Sequence, residues 1–256
     1  MSALLEIENL SAGYGKKVIV NNVSFQVGAG KLCALLGLNG SGKTTLLKSI
    51  LGLLPLASGN CFVDGHNITK LSEYKRARFI SYIPQRHSRL QGVSVLDVVM
   101  MGFYSILKPL EFPTAKNKEL ALATLEKLGY GHLYDDDFSK ISEGQKQMVI
   151  LARTLVQNTS VMLMDEPDSA LDFSNRRLML EEVSKLVRDR GKAGLVTLHD
   201  PSLAMAYCDH LFLLKGGTIL SELDLTAASK EDIKMSLSQI YKNVSILEHE
   251  GRYIVV

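Results

Sequence analysis

One stretch restricts this chain more than any other. Gly37-Leu38-Asn39-Gly40-Ser41-Gly42-Lys43-Thr44 matches G-x-x-x-x-G-K-[ST], the pattern of a phosphate-binding loop. Glycines let a backbone turn tightly and bring successive N–H groups up to phosphate oxygens with no Cβ in the way. Lys43 supplies a point charge for the β- and γ-phosphates, and the Thr44 hydroxyl suits a Mg²⁺ ion. The flanks agree. Lys31 to Leu36 is a short apolar run that reads as a buried strand, and Thr45 to Leu51 has helical apolar spacing. A phosphate between them sits on a helix N-terminus, where the dipole favours anions. Many NTPases and kinases share the pattern, so alone it names no reaction.

The chain has 256 residues, 46% of them hydrophobic and 22% charged, which excludes wholesale disorder and allows a sizeable core. A net charge of +2 is too balanced for a nucleic-acid footprint, so no nucleic-acid partner is expected. There is no apolar run of about 18 residues, hence no transmembrane helix is expected. Met1 to Glu8 lacks a basic region and meets acids early, unlike a secretory leader. Cys33, Cys61 and Cys208 are odd in number and far apart, giving neither a disulfide framework nor a metal-ligand spacing. A reducing cytoplasm is the simplest compartment.

Residues 3–30 alternate apolar and polar positions between glycines and read as antiparallel strands. Leu53 to Gly59 reads as a loop, Asn60 to Gly65 as strand and turn, Lys70 to Arg78 as a short basic helix, and Phe79 to Ile83 as a strand ending at Gln85. Residues 86–155 carry helical patterns and no strand signal. One helix starts at Val95 behind a Ser94 cap, a loop with Pro109 and Pro113 follows, and further helices span about Ala115–Leu128 and Glu143–Gln157. The expected architecture is α/β. Residues 1–85 and 156–256 form the core with an N-terminal antiparallel β subdomain, and 86–155 form an inserted helical subdomain. The core resumes with Val161 to Met164. It continues through a helix from about Asn175, a strand Gly194 to Leu198, a hairpin from Leu211, a helix from Glu231 to Tyr241, and final strands Val244–Leu247 and Tyr253–Val256.

A phosphate-binding loop needs a second Mg²⁺ carboxylate at a strand's exit, and Asp165 fits. Glu166, next to it, can orient and deprotonate an attacking water. Ser142 and Gln145 form a capping box ahead of an apolar helix. A cap alone does not explain Gly144, which weakens a first turn by up to about 1 kcal/mol relative to Ala. It fits a site where a phosphate comes close to the backbone. Taken singly, Tyr14 reads as a turn tyrosine and His199 as a strand-end histidine.

Taken together, these pieces resemble the ATP-binding subunits of ABC transporters from about Leu4 to the end, in that family's order. Tyr14 matches the adenine-stacking residue, Gly37–Thr44 the Walker A loop, and Gln85 the Q-loop. Ile141–Gln145 matches the signature LSGGQ, Val161–Glu166 the Walker B strand with its catalytic glutamate, Ser169–Asp172 the D-loop, and His199 the switch histidine. The resemblance implies a P-loop NTPase that binds ATP and Mg²⁺, the ion held by Thr44, Asp165 and Gln85. It implies a head-to-tail pair of subunits in which Ser142, Gly144, Gln145 and Asp172 complete the partner's nucleotide site. Glu166, His199 and Gln85 are then the catalytic residues.

With no span of its own, the chain looks like an importer ATPase on the cytoplasmic face of the membrane. Its implied partners are separate permease subunits and, through them, an extracytoplasmic solute-binding protein. The stretches Tyr82–His87, Gly92–Gly102 and Leu237–Val244 are similar to importers of iron–siderophore complexes, haem or cobalamin; the alternatives are another importer, such as one for a metal ion, or a soluble ABC ATPase. No heptad run separates loop from signature, as a chromosome-maintenance ATPase requires, and there is a single P-loop, where tandem soluble ABC proteins carry two. Three positions depart from the family pattern. Glu143 stands where Gly is usual and is expected to weaken ATP affinity or to slow closure, Ile141 replaces Leu, and Asp168 replaces Thr.

Overall fold

The computed structural model describes residues 3–85, 90–108, 110–249 and 252–256. Readings that touch Met1, Ser2, Arg86, His87 and Pro109 lie outside these described residues. The chain opens with β1 (Ala3–Tyr14) and β2 (Lys17–Gly28), then β3 (Lys31–Leu36) runs through the glycine-rich loop into α1 (Lys43–Leu51). β4 (Leu56–Val63), β5 (His66–Asn67), α2 (Glu73–Arg76) and β6 (Ile80–Ile83) follow. The helical stretch contains α3 (Val95–Met100), α4 (Ala115–Lys127) and α5 (Glu143–Gln157). The core resumes with β7 (Val161–Asp165), α6 (Phe173–Asp189), β8 (Ala193–Leu198), α7 (Pro201–Tyr207), β9 (His210–Lys215) and β10 (Thr218–Asp224). α8 (Lys230–Ser238), β11 (Ile246–His249) and β12 (Arg252–Val255) end the chain.

Two sheets organise the molecule. One is antiparallel in the order β2-β1-β4-β5, and the other runs β10-β9-β3-β8-β7-β6. In the second sheet every pairing is parallel except β9 with β10. β7 and β8 are buried at every residue, as parallel strands covered on both faces must be. The period-2 alternation of β3 divides the core. Leu32, Ala34 and Leu36 face helices α3 to α6, and Cys33 and Leu35 face α1 and the antiparallel sheet. Phe25 of β2 and Phe212 of β9 join the two sheets, with ring centroids 4.7 Å apart.

The helical stretch is built from caps. Ser94, Thr114 and Ser142 each accept from an amide three residues on, and the last two complete capping boxes. Among its described residues there is no strand beyond one isolated bridge, Ser94 to Asp137. Val95, Val98, Leu125 and Met148 enter the same core as the sheet, so these helices pack on it directly. α5 runs unbroken past residue 155, and the Gln157 side-chain amide donates to the Ala77 carbonyl at 2.9 Å.

Several boundaries differ from the sequence reading. β4 begins at Leu56, inside the stretch read as a loop. Gly59 interrupts it as a bulge, with φ of 92° and room for a Cβ taken by the Glu8 and Asn9 carbonyls 2.5 Å away. The basic helix shrinks to Glu73–Arg76 because Arg76 turns inward and donates to the carbonyls of Thr69 at 2.9 Å and Leu71 at 3.2 Å. The final hairpin starts two residues later than expected, since Val244 is buried in the core instead of lying in the strand. The three cysteines are free and buried, and burial pushes the Cys61 thiol up to about 12. No helix of the described residues is long and apolar enough to cross a membrane.

Phe212 is fully buried at the junction of the two sheets, whereas Phe112 is 76% exposed. Phe212→Ala is expected to lower unfolding free energy by about 3–5 kcal/mol and Phe112→Ala by less than about 0.5 kcal/mol, measured by urea denaturation.

Candidate active site

Parallel pairing places one group of residues at a single edge of the second sheet. Leu36 pairs with Leu198, Asp165 with Thr197, and Ile83 with Met164. The C-terminal ends of β3, β8, β7 and β6 therefore lie side by side, and the residues that follow them include the candidates named from the sequence. After β3 comes the glycine loop, after β8 His199, after β7 Glu166, and after β6 Gln85.

The loop is held by backbone. Gly37 has no room for a side chain, because a Cβ would stand 2.4 Å from the Leu214 carbonyl oxygen. Gly40 and Gly42 take φ values of 79° and 110°, a region glycine enters without strain. The Gly217 amide donates to the Ser41 carbonyl at 3.0 Å, and Gly217 also cannot be larger, since a Cβ would meet the Ile19 carbonyl at 2.0 Å. Gly42 caps α1 with no side-chain acceptor, which leaves first-turn amides available to an anion. Lys43 is 5% exposed; its Nζ donates to the Gly37 carbonyl at 2.8 Å and stands 3.8 Å from Glu166 Oε1. Burial lowers the Lys43 ammonium from its ordinary range, and Glu166 and Asp165 oppose that shift. Ser41 Oγ is buried and has no hydrogen-bond partner among the described residues.

The carboxylates are held from several sides. Asp165 is 1% exposed. Its Oδ1 accepts from the hydroxyls of Thr44 at 3.1 Å and Thr197 at 3.0 Å, and its Oδ2 from Tyr82 at 3.4 Å. Burial pushes its pKa up, and the hydroxyls of Thr44 and Thr197 pull it back. Glu166 adopts φ of 46°, a left-handed conformation that disfavours a residue with a Cβ by about 1–2 kcal/mol. Its amide donates to Thr197 Oγ1 at 2.7 Å. The conformation turns its carboxylate to other strand ends. Oε2 accepts from the Gln85 side-chain amide, and Oε1 lies 2.6 Å from His199 Nε2. Gln85, Lys43 and His199 thus converge on one carboxylate.

Tyr14 is 53% exposed. Together with Asn39 to Thr45 and Glu166 it lines a cleft of about 400 Å³. The residues lining this cleft include none of Ser142, Gly144, Gln145 or Asp172. Ser142 and Gln145 form the capping box of α5, at 2.9 Å and 3.2 Å. Asp172 caps α6 through the Asn175 amide at 2.8 Å. Gly144 has a packing reason within the chain, since a Cβ there would lie 3.3 Å from the Ala170 carbonyl oxygen. Glu143 pairs with Lys146 at 2.6 Å on the same helix, which offsets part of its charge. Asp168 is buried and lies 3.7 Å from Arg176.

Thr197, Tyr82 and Gly217 were not singled out from the sequence. A signal existed for two of them: Thr197 and Tyr82 are polar residues near the ends of otherwise buried apolar strands, beside the Asp165 strand. Gly217 reads as an ordinary hairpin glycine until its contact with Ser41 is seen.

The donor set fits a hard divalent cation. Thr44 Oγ1 and Asp165 Oδ1 are oxygen donors already 3.1 Å apart, beside a loop whose buried Ser41 hydroxyl lacks a partner.

Residues 20–169 match the ABC transporter family. A protein of Helicobacter pylori (strain 26695), named "Probable iron chelatin transport ATP-binding protein", is 36% identical over 254 residues, covering 98% of each chain. The manganese transport system ATP-binding protein MntB of Bacillus subtilis is 39% identical over 213 residues, covering 82% of each. Among solved structures, a transporter assigned to the metal-chelate type, in an inward-facing conformation, superposes with a TM-score of 0.81 at 25% identity over 100% of this chain and 96% of its own. The ADP conformation of an ATP-binding cassette of an ABC transporter superposes with a TM-score of 0.78 at 27% identity, covering 93% and 96%. The glycine loop, the carboxylates at the neighbouring strand ends and this family match lead to one conclusion: the chain belongs to the ABC transporter family, as one of its ATP-hydrolysing ATP-binding domains.

Proposed function

We propose that this chain powers an importer of an iron complex, a siderophore or haem, or of cobalamin, by hydrolysing ATP with Glu166 as the general base. The convergence of Lys43, Gln85 and His199 on the Glu166 carboxylate, at the mouth of the phosphate loop, carries the hydrolytic part of the reading. The amides of Gly40 to Thr45 and the Ser41 hydroxyl cradle the phosphates. Lys43 exchanges the Gly37 carbonyl for phosphate oxygens, and Tyr14 supplies a ring for the adenine. Thr44 and Asp165, with Gln85, hold Mg²⁺, which when bound neutralises phosphate charge. Glu166 accepts the proton of the attacking water, and His199 orients that water against the γ-phosphate.

The rest of the site comes from a second copy. Ser142, Gly144 and Gln145 sit at the N-terminus of α5, outside the cleft of their own chain, so a head-to-tail dimer brings them to the partner's nucleotide with Asp172 nearby. Residues 86–155 act as the helical subdomain that relays closure to permease subunits at the cytoplasmic face of the membrane. An extracytoplasmic binding protein delivers the solute to those subunits. The iron-complex reading is supported by the iron chelatin relative, whose similarity covers 98% of each chain, and by the metal-chelate structure. The manganese relative favours a second reading, import of a metal ion, over a shorter stretch.

Glu166→Gln is expected to keep ATP affinity, lower kcat by about a hundredfold or more, and accumulate an ATP-bound dimer on gel filtration. Normal hydrolysis by this variant refutes the base. Uptake of ⁵⁵Fe-siderophore, ⁵⁵Fe-haem, ⁵⁷Co-cobalamin and ⁵⁴Mn²⁺ by cells carrying Lys43→Ala separates the cargo readings. Loss of an iron-complex or cobalamin signal with manganese unchanged supports the first, and loss of manganese uptake alone supports the second.

A further inference from the structure

β8 is apolar at every position but one. Thr197 is that exception, and it has no exposed surface. Both hydrogen-bonding capacities of its hydroxyl are spent on one neighbouring dipeptide. It donates to Asp165 Oδ1 at 3.0 Å and accepts from the Glu166 amide at 2.7 Å. Parallel register accounts for the first contact, because Asp165 and Thr197 are paired residues.

The second contact arises where the ladder ends. Glu166 leaves β7 with φ of 46°, and Pro167, next in the chain, has no N–H to contribute. The β7–β8 ladder ends at the Asp165–Thr197 pair, so the Glu166 amide lies just beyond it. A buried N–H must still find an acceptor. Thr197 Oγ1 is that acceptor, and the Ser169 amide closes the turn on the Glu166 carbonyl at 3.2 Å. The same turn aims the Glu166 side chain at Gln85 and His199.

We propose that Thr197 is a positioning residue for ATP hydrolysis: its hydroxyl holds the Asp165–Glu166 peptide in the left-handed turn that presents the Glu166 carboxylate. The inference rests on the reading of Glu166 as the base. Valine matches the shape of threonine without the hydroxyl, so Thr197→Val fills the same space and removes the tether on the Glu166 amide together with one of three hydroxyl donors to Asp165. Asp165 keeps its contacts with Thr44 and Tyr82. Nucleotide affinity therefore survives while the base loses its aim.

The test compares Thr197→Val and Thr197→Ser, alone and in a Glu166→Gln background, with turnover counted per ADP-binding site so that unfolded protein does not contribute. Thr197→Val is expected to lose about tenfold or more in kcat, with the KM for ATP within about twofold of the parent. Thr197→Ser, which keeps the hydroxyl, is expected to recover most of that rate. In the Glu166→Gln background, Thr197→Val should cost nothing further, because the two residues act as one unit. Parental kcat in Thr197→Val overturns the proposal, as does an equal loss in both backgrounds. If Glu166→Gln itself turns over normally, the base reading fails first and takes this inference with it; a dead Glu166→Gln beside a fully active Thr197→Val rejects the inference alone.

Discussion

The parallel register of β3, β8, β7 and β6 is the constraint on which the site depends. Parallel strands share a direction, so their C-terminal ends fall on one edge, and open α/β sheets bind ligands at that edge. Here the edge gathers residues spread from Gly37 to His199 in the chain. A one-residue slip of β7 against β8 would separate Asp165 from Thr197 and exchange the side chains on its two faces. Those faces pack into different cores, Met162 and Met164 in one and Val161 and Leu163 in the other, which opposes the slip. The core that stabilises the fold is therefore also what sets the spacing of the candidate catalytic groups.

Within that frame, Glu166 is the shared acceptor. The Lys43 ammonium approaches it from the start of α1, and the Gln85 amide and the His199 imidazole from the ends of β6 and β8. Its left-handed backbone is the local concession that makes this possible, and the Thr197 hydroxyl accepts from its amide where the ladder has ended. Lys43 divides its ammonium between the Gly37 carbonyl and Glu166. In the proposed mechanism that one lysine links phosphate binding to the placement of the base.

Much of this was legible in the sequence, for a physical reason. Gly37 to Thr44 can be read because phosphate chemistry demands fixed residue types at fixed spacing. Asp165, Glu166 and His199 can be read because apolar strands end abruptly in polar residues. The caps at Ser94 and Ser142 are local, and each accepts from the amide three residues on, as the pattern requires. What the sequence hid is non-local. Thr197 looks like one more β-branched strand residue until register sets it opposite Asp165. Gly59 looks like a loop glycine until β1 is seen pressing on it, and Arg76 looks like a solvated charge until its guanidinium is found on the Thr69 and Leu71 carbonyls. Each of these depends on which segments become neighbours, which periodicity does not encode.

The central claim is that the glycine loop and Glu166 form one site, joined by Lys43. A crystal structure with Mg²⁺ and a slowly hydrolysed ATP analogue tests it most directly. The account predicts phosphates on the Gly40–Thr45 amides, Lys43 Nζ moved from the Gly37 carbonyl onto phosphate oxygens, and Glu166 within hydrogen-bond reach of a water beside the γ-phosphate. An analogue bound elsewhere, or Lys43 still on Gly37 with Glu166 turned away from the γ-phosphate, would contradict it.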